Sequence, residues 1–284
     1  MNLSIFLAFG AMFGWGVGDF LIQRATRKIG AMETLFYITF ASSFLFLPWV
    51  ISHLSILTEK NIIFFITLGA ISFVSGYLFM RALKIGKLAV IETITAIELP
   101  LTIALGCFFF KETLSRPQII FILLLFIGVI LISVDFKKIN KRDFLEKGSI
   151  FALTTAIVVS LVNFLSAFGA KEIDPIMTLW ASWVFCGLIC GGFIYGQKNN
   201  EFLKKSLSNW RLILAVMIVD TLAWLFYVLA TVKNQLSITI SISESFIVVA
   251  LLLGIIFNKE KISRPQFLGA ILAISSSIII AFIK

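Results

Sequence analysis

Runs of about 18 or more mostly apolar residues follow one another along this chain, with the charges confined to short stretches between them. A run of that length can cross the hydrocarbon layer of a bilayer as a helix. Each backbone amide in the bilayer core must be bonded within its own segment, so helices are the economical reading. A transmembrane barrel would alternate apolar and polar residues, whereas these runs are continuous. Composition agrees: 60% of the 284 residues are apolar, 14% are charged and 30 are Phe. No stretch is long or polar enough to fold as a separate soluble domain. The first run begins almost at Met1 and lacks a basic lead and a small-residue cleavage site, so it is expected to be a retained helix.

The chain also repeats itself. Phe110-Lys111-Glu112-Thr113-Leu114-Ser115-Arg116-Pro117-Gln118 returns 148 residues later as Asn258-Lys259-Glu260-Lys261-Ile262-Ser263-Arg264-Pro265-Gln266, identical at six of nine positions. Gly106 and Gly254 keep the same offset, and both copies lie between two apolar runs. Such a match points to an internal duplication. The first half is expected to hold spans near Leu3–Gln23, Met32–Ile51, Ile62–Leu83, Leu88–Phe110 and from the first elbow to Val134. The second is expected at Gly148–Ala170, Ile176–Gly196, Arg211–Val232, Ile238–Phe257 and Gln266–Ile283. Residues 1–135 and 148–284 are then the two repeats, joined by a basic linker at 136–147. Two homologous halves of five helices must enter the membrane in opposite directions. The expected fold is therefore all-α integral membrane, ten helices in two inverted repeats around a central cavity, an arrangement that suits alternating access.

The net charge of +9 is not a nucleic-acid signal, because Lys and Arg are scattered over many short connections. It reports orientation instead. The odd-numbered connections carry 18 Lys and Arg residues, and the even-numbered ones with the C-terminus carry 6. The excess of basic residues on the cytoplasmic side then places both termini outside and the linker in the cytoplasm. Cys107, Cys186 and Cys190 lie inside apolar runs, and the one histidine, His53, is in a loop. That leaves no metal-ligand cluster, no nucleophile–base pair and no Walker-type phosphate loop, so neither enzyme chemistry, direct ATP hydrolysis nor a cofactor is expected.

Ionisable residues inside membrane helices are costly, and they usually face a cavity or a partner. Asp220 and Glu98 are expected near the bilayer midplane, Glu244 at shallower depth, and Asp19 and Glu92 within two turns of a helix end, with Arg81 the main counter-charge. Trp15 and Asp19 share one helix face, as do Asp220, Trp224 and Tyr227, and Tyr77 and Arg81. Aromatic rings beside an acid suit an organic cation, and such acids can also carry protons for coupling. Plainer readings stand beside these. Trp15 can be a packing residue, and Asp19 and Glu92 can pair with Arg24 or Lys87 at the interface. Asn163 aligns with Asp19 and is either a cavity residue or a helix-packing one. The Lys-Glu elbows read as structural rather than catalytic. Pro100 is expected to break the fourth helix beside Glu98 and free carbonyls towards the cavity.

Gly14-Trp15-Gly16 in the first helix, Tyr77–Leu83 closing the third, Glu98-Leu99-Pro100 in the fourth and the doubled Lys-Glu elbow together resemble the drug/metabolite transporter superfamily in its ten-helix form with two EamA-type repeats. The second half has Ser243-Glu244-Ser245 where the first has Glu98-Leu99-Pro100, shifted by two residues. The resemblance covers nearly the whole chain. It implies a multi-pass protein of a prokaryotic plasma membrane that carries small organic solutes, with both termini in the cytoplasm, opposite to the charge count. The expected partners are the bilayer, a small-molecule substrate, protons and a second copy through the fifth and tenth helices. A carrier of a cationic or amino-acid-like solute leads. A facilitator or exchanger of neutral sugars or amino acids comes second, and a membrane enzyme is a distant third.

Overall fold

The computed structural model describes residues 3–85, 91, 94–133, 147–196, 202–258 and 262–283, and its regular structure among them is entirely helical. The helices are α1 (Leu3–Ile29), α2 (Ala31–Ser52), α3 (Glu59–Ile85), α4 (Glu98–Phe109), α5 (Arg116–Ser133) and α6 (Lys147–Glu172). They continue as α7 (Pro175–Gly196), α8 (Phe202–Ser208), α9 (Trp210–Lys233), α10 (Leu236–Ser243), α11 (Phe246–Asn258) and α12 (Arg264–Phe282). Among the described residues nine spans are long and apolar enough to cross a membrane, α10 and α11 together counting as one. The fourth expected span is represented by α4, with Ile91, Ile94 and Thr95 helical ahead of it. Most of the basic linker and Lys259-Glu260-Lys261 of the second elbow lie outside the described residues. The chain is an all-α integral membrane protein. Large apolar side chains such as Phe108, Ile120, Leu123, Phe193 and Phe267 point outward, as a lipid-facing surface requires.

Local chemistry sets the helix ends. The repeated Ser-Arg-Pro-Gln is a helix start: the Ser115 N–H donates to Gln118 Oε1 at 2.8 Å, and the Ser263 N–H donates to Gln266 Oε1 at 2.9 Å. At Ser263 this belongs to a full capping box and at Ser115 it is the Gln half of one, each with Pro in the first turn, where a missing N–H costs nothing. At the other extreme α1 runs past the expected Gln23, because Arg and Lys are good helix formers. It stops only at Gly30, whose φ of 115° turns the chain. Asp19 therefore lies ten residues before the end at Ile29, deeper than the sequence suggested. The second span is not one regular helix: it passes through a π turn at Tyr37–Ala41 and a 3-10 turn at Phe44–Phe46. The helix α8, in the connection before α9, was not expected from the sequence.

The packing respects exchange of the two halves. The helix α1 lies along α9 as its counterpart α6 lies along α3, and α1 touches α10 and α11 as α6 touches α4. The helices α5 and α12 pack on each other, where a Cβ on Gly128 would lie 2.7 Å from the Ala273 nitrogen and 2.8 Å from the Gly269 oxygen. The buried Ser276 and Ser277 belong to this same contact-rich side of α12, so its small-residue run is used within the chain.

Both halves also break a helix at the same place. The break in the second half is Glu244–Ser245, between α10 and α11, and in the first a turn at Ala96–Ile97 precedes α4. Adding the repeat offset of 148 to 96 and 97 gives 244 and 245. The break thus comes before Glu98, not at Pro100. Pro100 occupies the first turn of α4, and the Leu99 N–H donates to the Ala96 carbonyl at 3.2 Å.

Candidate functional site

A cavity of about 180 Å³ lies between the halves, walled by α1, α2, α3, α6, α7, α9 and the two helix breaks. Four carboxyl groups line it: Asp19, Glu98, Asp220 and Glu244. No Lys, Arg or His is among its described lining residues. The acids are close enough to sense one another, Asp19 being near both Glu98 and Asp220. Glu98 and Glu244 come near each other across the two breaks, close enough for their carboxyls to interact. Asp220 is buried, and its Oδ2 has no hydrogen-bond partner.

The aromatic part of the wall comes from Trp15 of α1, Phe79 of α3, Trp183 of α7, Trp224 of α9 and Phe246 of α11. The Trp15 ring centre lies 5.3 Å from that of Trp224, 5.2 Å from Tyr227 and 6.5 Å from Phe246. Glycine makes room for this on the far side of α1: a Cβ on Gly16 would stand 2.7 Å from the Phe246 carbonyl oxygen. Tyr227 is fully buried behind Trp15, and its hydroxyl donates to the Asn163 carbonyl at 3.2 Å. Asn163 itself reaches the cavity from α6.

Seven of the sequence candidates thus meet at one cavity: Trp15, Asp19, Glu98, Asn163, Asp220, Trp224 and Glu244. Tyr227 stands one layer behind. Tyr77 and Arg81 do not line it. Tyr77 stacks on Phe73 at 6.0 Å, and the Arg81 guanidinium carbon sits 5.8 Å above the Tyr77 ring. The stripe of α3 that does face the cavity is Ser72, Ser75, Gly76, Phe79 and Met80, and one residue of helix turns a side chain by about 100°. Arg81 is therefore not the cavity's counter-charge. Glu92 lies outside the described residues. Several lining residues were not chosen from the sequence: Thr39, Ser72, Ser75, Thr95, Thr155, Ser166, Ser182 and Trp183. The i, i+3, i+4, i+7 spacing of Ser72, Ser75, Gly76 and Phe79 was the signal that could have shown the α3 face.

The cavity leans to one face of the protein. It takes Asp19 and Ile22 from the later part of α1, Leu35 to Thr39 from the start of α2, and Ser72 to Met80 from the later part of α3. These segments run towards the odd-numbered, more basic connections. A separate cleft of about 980 Å³ opens on the opposite face, lined by Ile5, Glu112, Lys171, Lys233, Gln235 and Phe282 among others. At its floor Glu112 receives the Leu236 N–H, the Ser237 N–H at 2.9 Å and the Ser237 hydroxyl at 2.6 Å. Lys171 Nζ lies 3.7 Å from Glu112 Oε1. The first Lys-Glu elbow is thus a cap on a helix of the other half, in keeping with a structural rather than catalytic role.

The sequence profile of the EamA-like transporter family matches this chain twice, over residues 2–134 and 146–282. The chain belongs to that family. Its match to two successive copies agrees with the duplicated elbow and the paired breaks. Members of the EamA-like family are transporters, which argues against an enzyme. The uncharacterised protein MJ1333.1 of Methanocaldococcus jannaschii is 29% identical over 137 residues, which is 48% of this chain and 99% of that relative. One half of the EamA-like chain therefore corresponds to an entire relative. A solved crystal structure shares the fold at 13% identity with a TM-score of 0.75, covering 98% of this chain and 96% of its own.

Proposed function

We propose that this protein is a secondary carrier that moves a small cationic organic solute, an amine or amino-acid-like molecule, across the cell membrane by alternating access. The observation that carries this reading is the cavity wall: four carboxyls, among them Asp220 with a buried unpartnered oxygen, and three tryptophans, with no basic side chain among the described lining residues. A solute ammonium would ion-pair with and donate hydrogen bonds to Asp220 and Asp19, and lie against the faces of Trp15 and Trp224. The volume is on the order of six liquid waters, so a solute of few heavy atoms fits. Exchange of a proton on the neighbouring Glu98 and Glu244 carboxyls against the solute would couple the two movements.

A second reading has its own observation. Seven hydroxyls and one amide, among them Ser72, Ser75, Thr95, Ser166 and Asn163, share the wall and suit a neutral polyol or sugar. Thermal stabilisation of the purified protein separates the two, because a ligand of the folded state raises the apparent melting temperature by mass action. Ethanolamine, choline and putrescine are expected to raise it, and Asp220→Asn to remove the shift. Stabilisation by glucose or glycerol alone, with Asp220→Asn unaffected, would replace the cation reading with the facilitator.

A further inference from the structure

The helix α10 lies between the acid-lined cavity and the cleft on the opposite face. Its C-terminal end meets the cavity at Glu244, and its N-terminal end meets the cleft floor at Glu112. Eight residues span only about 12 Å, so this half-helix runs from one space to the other. Every one of its residues is buried, against α1, α4, α9 and α12.

Its sequence is poorly suited to a permanent helix. Leu236-Ser237-Ile238-Thr239-Ile240-Ser241-Ile242-Ser243 alternates branched or apolar residues with hydroxyls, a pattern with strand periodicity and low helix propensity. The Ser241 hydroxyl donates to the Ser237 carbonyl at 2.6 Å, and that of Ser243 to the Thr239 carbonyl at 2.9 Å, contacts that compete with the helix's own ladder. The hydroxyls of Thr239 and, just past the end, Ser245 are buried with no partner. A buried helix N-terminus needs acceptors for its free N–H groups. Here both come from one carboxylate, and that carboxylate belongs to the other half of the chain. The opposite end is the break at Glu244–Ser245, a ready hinge.

We infer that α10 is the gate on the face opposite the basic connections, and that Glu112 is the latch holding it shut in this structure. Rocking the halves apart pulls Glu112 from Leu236 and Ser237, the uncapped half-helix loses its start, and its hydroxyls line the passage that opens from cavity to cleft. This rests on the transport reading, but its test needs no solute.

Hydrogen–deuterium exchange of the full chain in lipid nanodiscs reads the latch directly. In Glu112→Ala, exchange in peptides covering Leu236–Ser245 is expected to rise about tenfold, the size of a lost cap, with α5 and α12 unchanged. Should Glu112→Ala fail to fold, Ser237→Ala removes one of the three bonds and is expected to give a smaller rise confined to the same peptides. Unchanged exchange in α10, or a rise spread evenly over all helices, would overturn the latch. If a solute is carried while Glu112 leaves α10 unmoved, the gate fails alone. If α10 loosens as expected and no solute of any class is carried, the transport reading fails alone.

Discussion

Asp220 is the residue on which the chemistry turns, because it lines the cavity and its second oxygen is buried without a partner. Replacing it by Asn keeps the shape and removes the charge, so ligand-induced stabilisation by amines is expected to vanish while the ligand-free melting temperature stays close to that of the wild type. Arg81→Ala is expected to leave the amine midpoint within about twofold, since Arg81 sits over Tyr77 and away from the cavity. A larger change in a binding titration would return Arg81 to the site. Tyr227→Phe removes a buried hydroxyl from the Asn163 carbonyl, a bond worth about 0.6–1.5 kcal/mol, and chemical denaturation in detergent would measure the loss. The acids and tryptophans were legible in the sequence because a charge inside an apolar run has few bland explanations. The serines and threonines were not, because each can satisfy its hydroxyl on the preceding turn, as Ser182 does on Thr178, and so looks the same whether or not it faces a cavity. Tyr77 and Arg81 misled for a related reason: their spacing fixes that they share a face, not which face it is.

At the scale of the elements, the doubled Ser-Arg-Pro-Gln was visible as a repeat before its job was visible as a helix start. The offset it defines also places the two helix breaks on each other, with Glu98 and Glu244 on opposite sides of equivalent turns. That explains the two-residue shift between the acidic steps: they are not the same position doubled. Proline was the natural suspect for the break, yet it stands where a helix tolerates it. Pro100→Ala is therefore expected to change stability by less than about 1 kcal/mol, and a loss of several would show that the ring holds the break. Gly16 is different, because the chain of α11 crosses close above it. Gly16→Val should cost about 1–3 kcal/mol through overpacking, seen as a lower denaturation midpoint with an unchanged slope. The latch at Glu112 could not be read from sequence, since the carboxylate and the N–H groups it serves are more than a hundred residues apart.

For the whole molecule, the argument from five helices per half to opposed halves survives in the packing, where α1 on α9 mirrors α6 on α3. Nine of the ten expected spans are long and apolar enough among the described residues, because the bilayer imposes length and apolarity, and the fourth is represented by the shorter α4. Irregularities inside them, the π turn in the second span and the split ninth, follow from close packing of neighbours that the hydropathy of a single run does not encode. The cavity lies on the side of the basic connections and the cleft on the side of the termini, with α10 between. The proposed carrier would open that cavity to either face in turn. Transport into proteoliposomes of radiolabelled ethanolamine, choline and putrescine, beside glucose and glutamate, tests that account most directly. Saturable uptake of at least one amine that is lost in Asp220→Asn is the expected result, and uptake confined to the neutral or anionic solutes, indifferent to Asp220, would contradict it.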